Sequence, residues 1–265
     1  ELLLVVARKN GKSLLASALA IYMQLHDGEN APIGISAATR RDQARLTFEN
    51  VQKLLRGSPL AELAKIQQHE IITDFNNGSF KAVSAEAKNA DGWDLSFAVL
   101  DEIHAWHNHD LYNVIVDSFS AREQGAIFIT TTNGSVRNSI FDTKYSQADE
   151  IIKGFDNPDG YKNDSILPLI YELDNEKEML EEENWEKANP GLGTIKSKEQ
   201  LKEKVKQAIA FPEFKGNLLT KDFNRLAKSS DAWLDYDTLF NDQQFTLDEV
   251  PDFAIGGVDL SSTTD

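Results

Sequence analysis

A short apolar run at 2–6 passes into Val6-Ala7-Arg8-Lys9-Asn10-Gly11-Lys12-Ser13, and a helix-forming stretch at 14–25 follows at once. A strand that turns through Gly-Lys-Ser into a helix is the setting a phosphate-binding loop needs, because its successive backbone N–H groups then face an anion at the helix N-terminus. Further along, Phe97-Ala98-Val99-Leu100 runs into Asp101-Glu102, an apolar strand ending in two carboxylates. Such a strand is the usual partner of the loop. Together they constrain the chain to a parallel α/β sheet and point to hydrolysis of a nucleoside triphosphate.

Each motif alone has an ordinary alternative. The consensus loop opens with Gly where this chain has Val6, so a plain strand-to-helix turn containing Asn-Gly and Lys is the competing reading. Asp101-Glu102 alone would pass for a strand end followed by two solvated acids, and finding both motifs at parallel-sheet spacing weakens both alternatives. On the functional reading the loop Arg8, Lys9, Asn10, Gly11, Lys12 and Ser13 binds the nucleotide, Lys12 contacting the β- and γ-phosphates and the Ser13 hydroxyl coordinating Mg²⁺. Asp101 holds the ion through a water. Glu102 orients and polarises the attacking water as general base.

Arg8, inside the loop, is the candidate for stabilising transition-state charge, whereas Arg122 reads as a surface or packing residue. Thr130, Thr131, Thr132 and Asn133 end another apolar strand. They could sense the γ-phosphate and pass its loss to a moving part, or could be simple strand residues. His104 and Trp106 read as core or capping groups, and no metal is assigned to either.

Around these motifs the first half alternates short apolar runs with helical periodicity, the pattern of a sheet wrapped by helices. Strands are expected at 2–6, 33–38, 97–100 and 126–131, and helices at 14–25, 41–55 and 111–119. The second helix carries Ala44, Phe48, Val51 and Leu55 on one stripe. Asn76-Asn77-Gly78 predicts a hairpin between 70–75 and 79–84. After about residue 150 a polar loop at 156–164 leads to a strand at 166–173 and then to charged helical sequence through 210, broken at Asn189-Pro190 with Gly191 and Gly193. The acidic run 174–186 reads as a solvated helix face. A last apolar run, 253–258, opens a strand ending at Asp259.

With 265 residues and 41% hydrophobic content, the chain can bury a substantial core and a second, smaller unit. The formal charge of −16, from 27 Lys and Arg against 43 Asp and Glu, argues against coating nucleic acid by bulk electrostatics but leaves room for a motor with a local basic surface. No cysteine means no disulfide or thiolate site, and the five histidines are too scattered for zinc. No run reaches the roughly 18 apolar residues that span a bilayer, so a soluble intracellular protein without a membrane partner is expected.

The segments ARKNGKS, SAATRRDQA at 36–44, VLDEIHAW at 99–106, ITTTNG at 129–134, WEKANPGLG at 185–193 and GGVDLSS at 256–262 resemble, in order and spacing, the large terminase subunit of tailed bacteriophages. The resemblance implies an ATPase motor that drives double-stranded DNA into a procapsid, joined to an RNase H-like nuclease. It implies a RecA/ASCE-like P-loop core at 1–175, a helical linker subdomain at 176–250, and the first strand of an incomplete nuclease domain at 251–265. It makes Arg8, Lys12 and Ser13 the Walker A residues, Asp101 and Glu102 the Mg²⁺-binding and catalytic carboxylates, and Thr130 to Asn133 the coupling motif. Asp259 matches the first nuclease carboxylate, a ligand for Mg²⁺ or Mn²⁺. With the other carboxylates missing, no nuclease activity is expected of this chain by itself, and the residues that hold the adenine upstream of the loop are missing as well. The implied partners are double-stranded DNA, a portal protein, a small terminase subunit and further copies forming a ring on the procapsid, in the cytoplasm of a bacterial host.

Two rival readings of the sequence remain. Asp101-Glu102-Ile103-His104 also fits a DExH-type helicase, but after residue 135 only Arg137 and Arg225 are present to serve a second, arginine-bearing domain. A nucleotide-binding interaction module without turnover is the other, and the retained Glu102 argues against it.

Overall fold

The computed structural model describes residues 1–39, 41–84, 93–107, 109–120, 122, 124–134 and 139–225. The expected strand at 253–258, the GGVDLSS segment with Asp259, and Arg137 lie outside them. The described elements are, in order, β1 (Leu2–Val5), α1 (Lys12–Leu25), β2 (Ile33–Ala38), α2 (Arg41–Arg56), β3 (Lys65–Ile66), β4 (Glu70–Thr73), β5 (Gly78–Ser84), β6 (Phe97–Asp101), α3 (Asp110–Asp117), β7 (Ala126–Thr131), α4 (Ile140–Phe155), β8 (Leu167–Ile170), α5 (Trp185–Ala188), α6 (Lys198–Ala210) and α7 (Lys215–Asp222).

The strands form one sheet in the order β3-β4-β5-β2-β6-β7-β1-β8. From β5 to β8 every pairing is parallel, and at the other edge β4 pairs antiparallel with both β3 and β5, so that β4 alone runs against the sheet. Strand β7 lies between β1 and β6, with Val5 opposite Thr131 and Asp101 opposite Thr130. The ends of the loop strand and the acidic strand are therefore separated by the threonine-rich one, all three opening on the carboxyl edge where ligands of such sheets bind.

Side chains alternate across the sheet as the two-residue period requires. Phe97 and Val99 join Ala16, Ala20, Phe48, Val51 and Leu55 under α1 and α2. Ala98 and Leu100 join Ile115, Ile129, Ile140, Phe141 and Ala148 under α3 and α4. The stripe Ala44, Phe48, Val51, Leu55 expected on α2 is buried throughout. Phe48, Phe80 and Phe97 stack in sequence, with centroids 5.9 and 5.6 Å apart. The hairpin expected around Asn76-Asn77-Gly78 is present, with Asn77 at φ 57° and the Asn76 side chain accepting the Gly78 N–H at 3.1 Å.

Two elements depart from the sequence reading. Helix α4 falls in a stretch to which the sequence reading assigns no element; its start is marked mainly by Asp142, whose carboxylate accepts the Ser139 N–H at 3.1 Å. The strand expected over 166–173 stops at Ile170, because its neighbour β1 has turned into the loop and the Leu173 N–H goes instead to the Phe223 carbonyl. There it meets a third apolar cluster, in which Leu173, Met179, Trp185, Leu201, Val205, Leu218 and Phe223 bury one another. The acidic run before α5 is not wholly solvated: Glu178 is buried and bonded to Lys187.

Gly34 sits where a Cβ would come 2.1 Å from the Phe97 ring. That ring is pinned by its stack on Phe80, so Gly34→Ala should destabilise the fold by about 1–3 kcal/mol through overpacking. Urea unfolding would show this, and Gly34→Ala combined with Phe97→Leu should recover part of the loss.

Candidate active site

The loop between β1 and α1 is closed by two left-handed residues, Lys9 at φ 69° and Gly11 at φ 83°. Helix α1 then begins at Lys12 with no side-chain cap and no acid in its first turn. Among the described residues, the N–H groups of Lys9, Asn10, Gly11, Lys12 and Ser13 donate to no protein acceptor. Together with the uncapped helix end they form a surface that favours an anion.

Lys12 is buried, and its Nζ lies 3.6 Å from Glu102 Oε1. This contact joins the two motifs in space. Glu102 occupies a left-handed conformation, φ 53° and ψ 44°, and its N–H donates to Thr130 O at 2.9 Å and Asp101 Oδ1 at 3.0 Å. A non-glycine residue there costs on the order of 1–3 kcal/mol, a strain the rest of the fold must sustain. It turns the carboxylate off the line of β6 and toward Lys12.

Asp101 receives hydrogen bonds from Thr130 Oγ1 at 2.9 Å and Thr47 Oγ1 at 3.3 Å, the latter from α2. Burial and then the charge of Glu102 push its carboxyl up, while Thr130, Lys12 and Thr47 pull it down. A carboxylate this desolvated and oriented is suited to a hard cation. Among the described residues no three His, Cys, Asp or Glu side chains gather as a cage. A divalent ion here would draw on Ser13 and Asp101 and take its other oxygens from phosphate and water, which is how Mg²⁺ is commonly held.

Thr130, Thr131, Thr132 and Asn133 are all buried, and each already has a partner. Thr130 holds Asp101, and Thr131 Oγ1 lies 3.0 Å from His104 Nδ1, which in turn is 3.1 Å from Glu102 Oε2. Asn133 accepts nothing from the loop; its N–H donates to Asn224 Oδ1 at 2.6 Å and its amide nitrogen to Asn224 O at 3.2 Å. These residues therefore reach the site through Asp101 and His104. Burial first, and then the positive charges of Lys221, Lys12 and Arg8, lower the His104 pKa to about 4. The imidazole is neutral near pH 7, so its contact with Glu102 is not an ion pair.

The helical segment beyond β8 meets the loop directly. The Asn10 side chain bridges to it both ways, donating to Asn189 Oδ1 at 2.9 Å and accepting from the Gly191 N–H at 3.1 Å. The Arg8 N–H donates to Lys221 O at 2.9 Å. Asn189 is fully buried and is held by Lys196, which also pairs with Asp222 at 3.0 Å. In the sequence Asn189 to Gly193 signals a break between helices and belongs to one of the segments that carry the family resemblance, whereas Lys221 and Asn224 carry no signal at all. Arg122 lies at the opposite, amino edge of the sheet, where it clamps Glu29 and Asp94.

Family comparison identifies both ends of this arrangement. Residues 1–153 match the model "Terminase large subunit, ATPase domain" and residues 161–265 match "Terminase large subunit, endonuclease domain". The chain is 26% identical over 229 residues to the terminase large subunit of Enterobacteria phage HK97, covering 84% of this chain and 44% of that one. It is 22% identical over 203 residues to the terminase large subunit of Lactococcus phage p2, covering 74% and 36%. The chain thus spans less than half the length of these relatives. The crystal structure of the HK97 large terminase superposes with a TM-score of 0.73 at 25% identity, over 85% of this chain and 46% of that one. The ATPase domain of the Thermus phage P74-26 large terminase superposes at 0.57 and 16% identity, over 85% and 88%, a likeness of fold: the RecA-like core.

Two outcomes follow from the geometry. Asn10→Ala removes both side-chain bonds to Asn189 and Gly191, so amide hydrogen exchange at Gly191 should accelerate and stability should fall by about 1–3 kcal/mol. His104 binds a proton near pH 6.5 when unfolded but only near pH 4 when folded. Its contribution is therefore complete above the higher value and lost as pH falls to the lower, an effect on the order of 3 kcal/mol. Urea midpoints measured between about pH 7 and pH 4.5 should fall less steeply for His104→Asn than for wild type; parallel profiles would contradict the assignment.

Proposed function

We propose that this chain, which belongs to the terminase large subunit family, is the ATP-hydrolysing motor of viral DNA packaging, coupling hydrolysis to movement of double-stranded DNA into a procapsid. The observation that carries the reading is the Lys12–Glu102 contact, which brings the phosphate-binding loop and the candidate base together beside Asp101.

In the proposed reaction the free N–H groups of the loop and the Lys12 ammonium bind the β- and γ-phosphates of ATP. Ser13 and Asp101 would hold Mg²⁺, which would supply charge neutralisation at the phosphate oxygens. Glu102 accepts a hydrogen bond from the attacking water and orients it toward the γ-phosphorus, while neutral His104 holds the carboxylate from the other side. Arg8 supplies further positive charge. Thr130, Thr131, Thr132 and Asn133 form the coupling segment: Thr130 contacts Asp101, Thr131 contacts His104, and Asn133 contacts Asn224 beyond α7. A shift of either carboxylate on loss of the γ-phosphate would thus be transmitted to the helical segment.

We assign 1–175 to the ATPase domain, 176–250 to a helical linker and 251–265 to the start of the nuclease. The whole protein would also cut DNA with Mg²⁺ or Mn²⁺, Asp259 being one metal ligand, and would act as a ring on the procapsid with the portal protein and small terminase subunit in the bacterial cytoplasm. Among the described residues no helix is long and apolar enough to cross a membrane. The helicase alternative loses Arg225 as a finger, since its guanidinium faces Glu172 and the Leu173 carbonyl.

ATP hydrolysis, measured with and without double-stranded DNA, tests the proposal. Wild type should turn over and be stimulated by DNA, and Glu102→Gln should bind ATP but hydrolyse it about 10²–10⁴-fold more slowly. Equal rates for the two proteins would remove Glu102 from the mechanism.

A further inference from the structure

The helical segment brings a charge to the loop as well as a scaffold. Lys221 lies in the last turn of α7, and its carbonyl, by accepting the Arg8 N–H, ties the residue to the phosphate-binding loop through its own backbone. Other lysines of the segment have found carboxylates: Lys187 pairs with Asp174 and Glu178, Lys196 and Lys204 with Asp222, Lys198 and Lys202 with Glu182, and Lys215 with Glu176. Among the described residues the half-buried Lys221 has no such partner, and neither has the Arg8 side chain.

The charges that act on the Lys221 ammonium are those of the phosphate site. Burial and then Arg8 and Lys12 lower its pKa, against an opposing pull from Glu102, and Lys221 is in turn the strongest charge acting on His104. Three cations brought to one site repel one another, and an anion joining them relieves that repulsion. A triphosphate beside Lys12 would supply that anion, and its terminal group carries the most charge.

We propose that Lys221 is a third cationic ligand of the terminal phosphate, supplied by the helical segment of the same chain to complete the site that Arg8 and Lys12 begin. The proposal rests on reading the site as one that binds ATP. Since the contact is to the γ-phosphate, Lys221 distinguishes triphosphate from diphosphate, and product loses it on release of phosphate.

Binding of ATPγS and of ADP, measured by competition with a fluorescent nucleotide in the presence of Mg²⁺, decides the matter for wild type, Lys221→Gln, Lys221→Arg and Lys215→Gln. Each substitution keeps the backbone carbonyl that accepts from Arg8, and thermal melts confirm folding. Lys221→Gln should weaken ATPγS by about 10-fold or more and ADP by less than about 2-fold, as expected for loss of one charge-assisted hydrogen bond. Lys221→Arg should recover part of the difference, and Lys215→Gln should match wild type. Equal weakening of both nucleotides, or of neither, would overturn the assignment of Lys221 while leaving the ATP site standing. A wild-type chain that binds neither nucleotide would overturn both.

Discussion

The placement of β7 between β1 and β6 is the constraint on which the site depends. Parallel pairing sets Val5 against Thr131 and Thr130 against Asp101, so the end of one strand reaches both the loop and the acidic pair. That pairing leaves the two strand ends about 10 Å apart, and the long Lys12 and Glu102 side chains meet across it at 3.6 Å. The intervening strand sets the gap, and its hydroxyls fill the part of it that must stay buried. Burying them is tolerable because each is hydrogen-bonded, to Asp101, to His104 or to the backbone.

Electrostatically the site is an unequal contest. Glu102 faces Lys12 on one side and a neutral imidazole on the other, while Asp101 is desolvated and held by two threonines. A chain with a formal charge of −16 has nonetheless gathered Arg8, Lys12 and Lys221 at one sheet edge. Net charge describes solubility and bulk attraction, whereas the local field is set by which few side chains the fold brings together.

The parts legible in the sequence are those whose signal is local. The strand-loop-helix at 2–25, the apolar strand into Asp101-Glu102, the α2 stripe and the Asn-Asn-Gly turn each carry their reason within a few residues, and the structure has them. Helix α4 has a helical period of its own, with Phe141, Tyr145 and Ala148 on its core side, although no element is assigned to it from the sequence. The early end of β8 depends on where β1 turns away, which no local pattern records. In the site, Lys12, Asp101 and Glu102 were visible as motif positions. Lys221 and Asn224 were not, and Asn189 stood out only within the segment WEKANPGLG, with no sign of what it touches: all three stand far along the chain from their partners, and an asparagine after a short helix or a lysine in a last turn is common in any protein. His104 was noticed only as a capping or core group, because its importance lies in which neighbours it faces.

The two-way bridge from Asn10 to Asn189 and Gly191 also bears on where this protein can be divided. Family models part it between residues 153 and 161, which separates the loop from its support. A fragment cut there would keep every motif of a nucleotide enzyme yet lose the acceptors of Asn10 and Arg8, along with the pocket of Trp185 and Phe223 that fixes them. The smallest piece that keeps both ends of this bridge therefore runs through Asn224, and boundaries drawn from motif content alone would sever the loop from part of its own support.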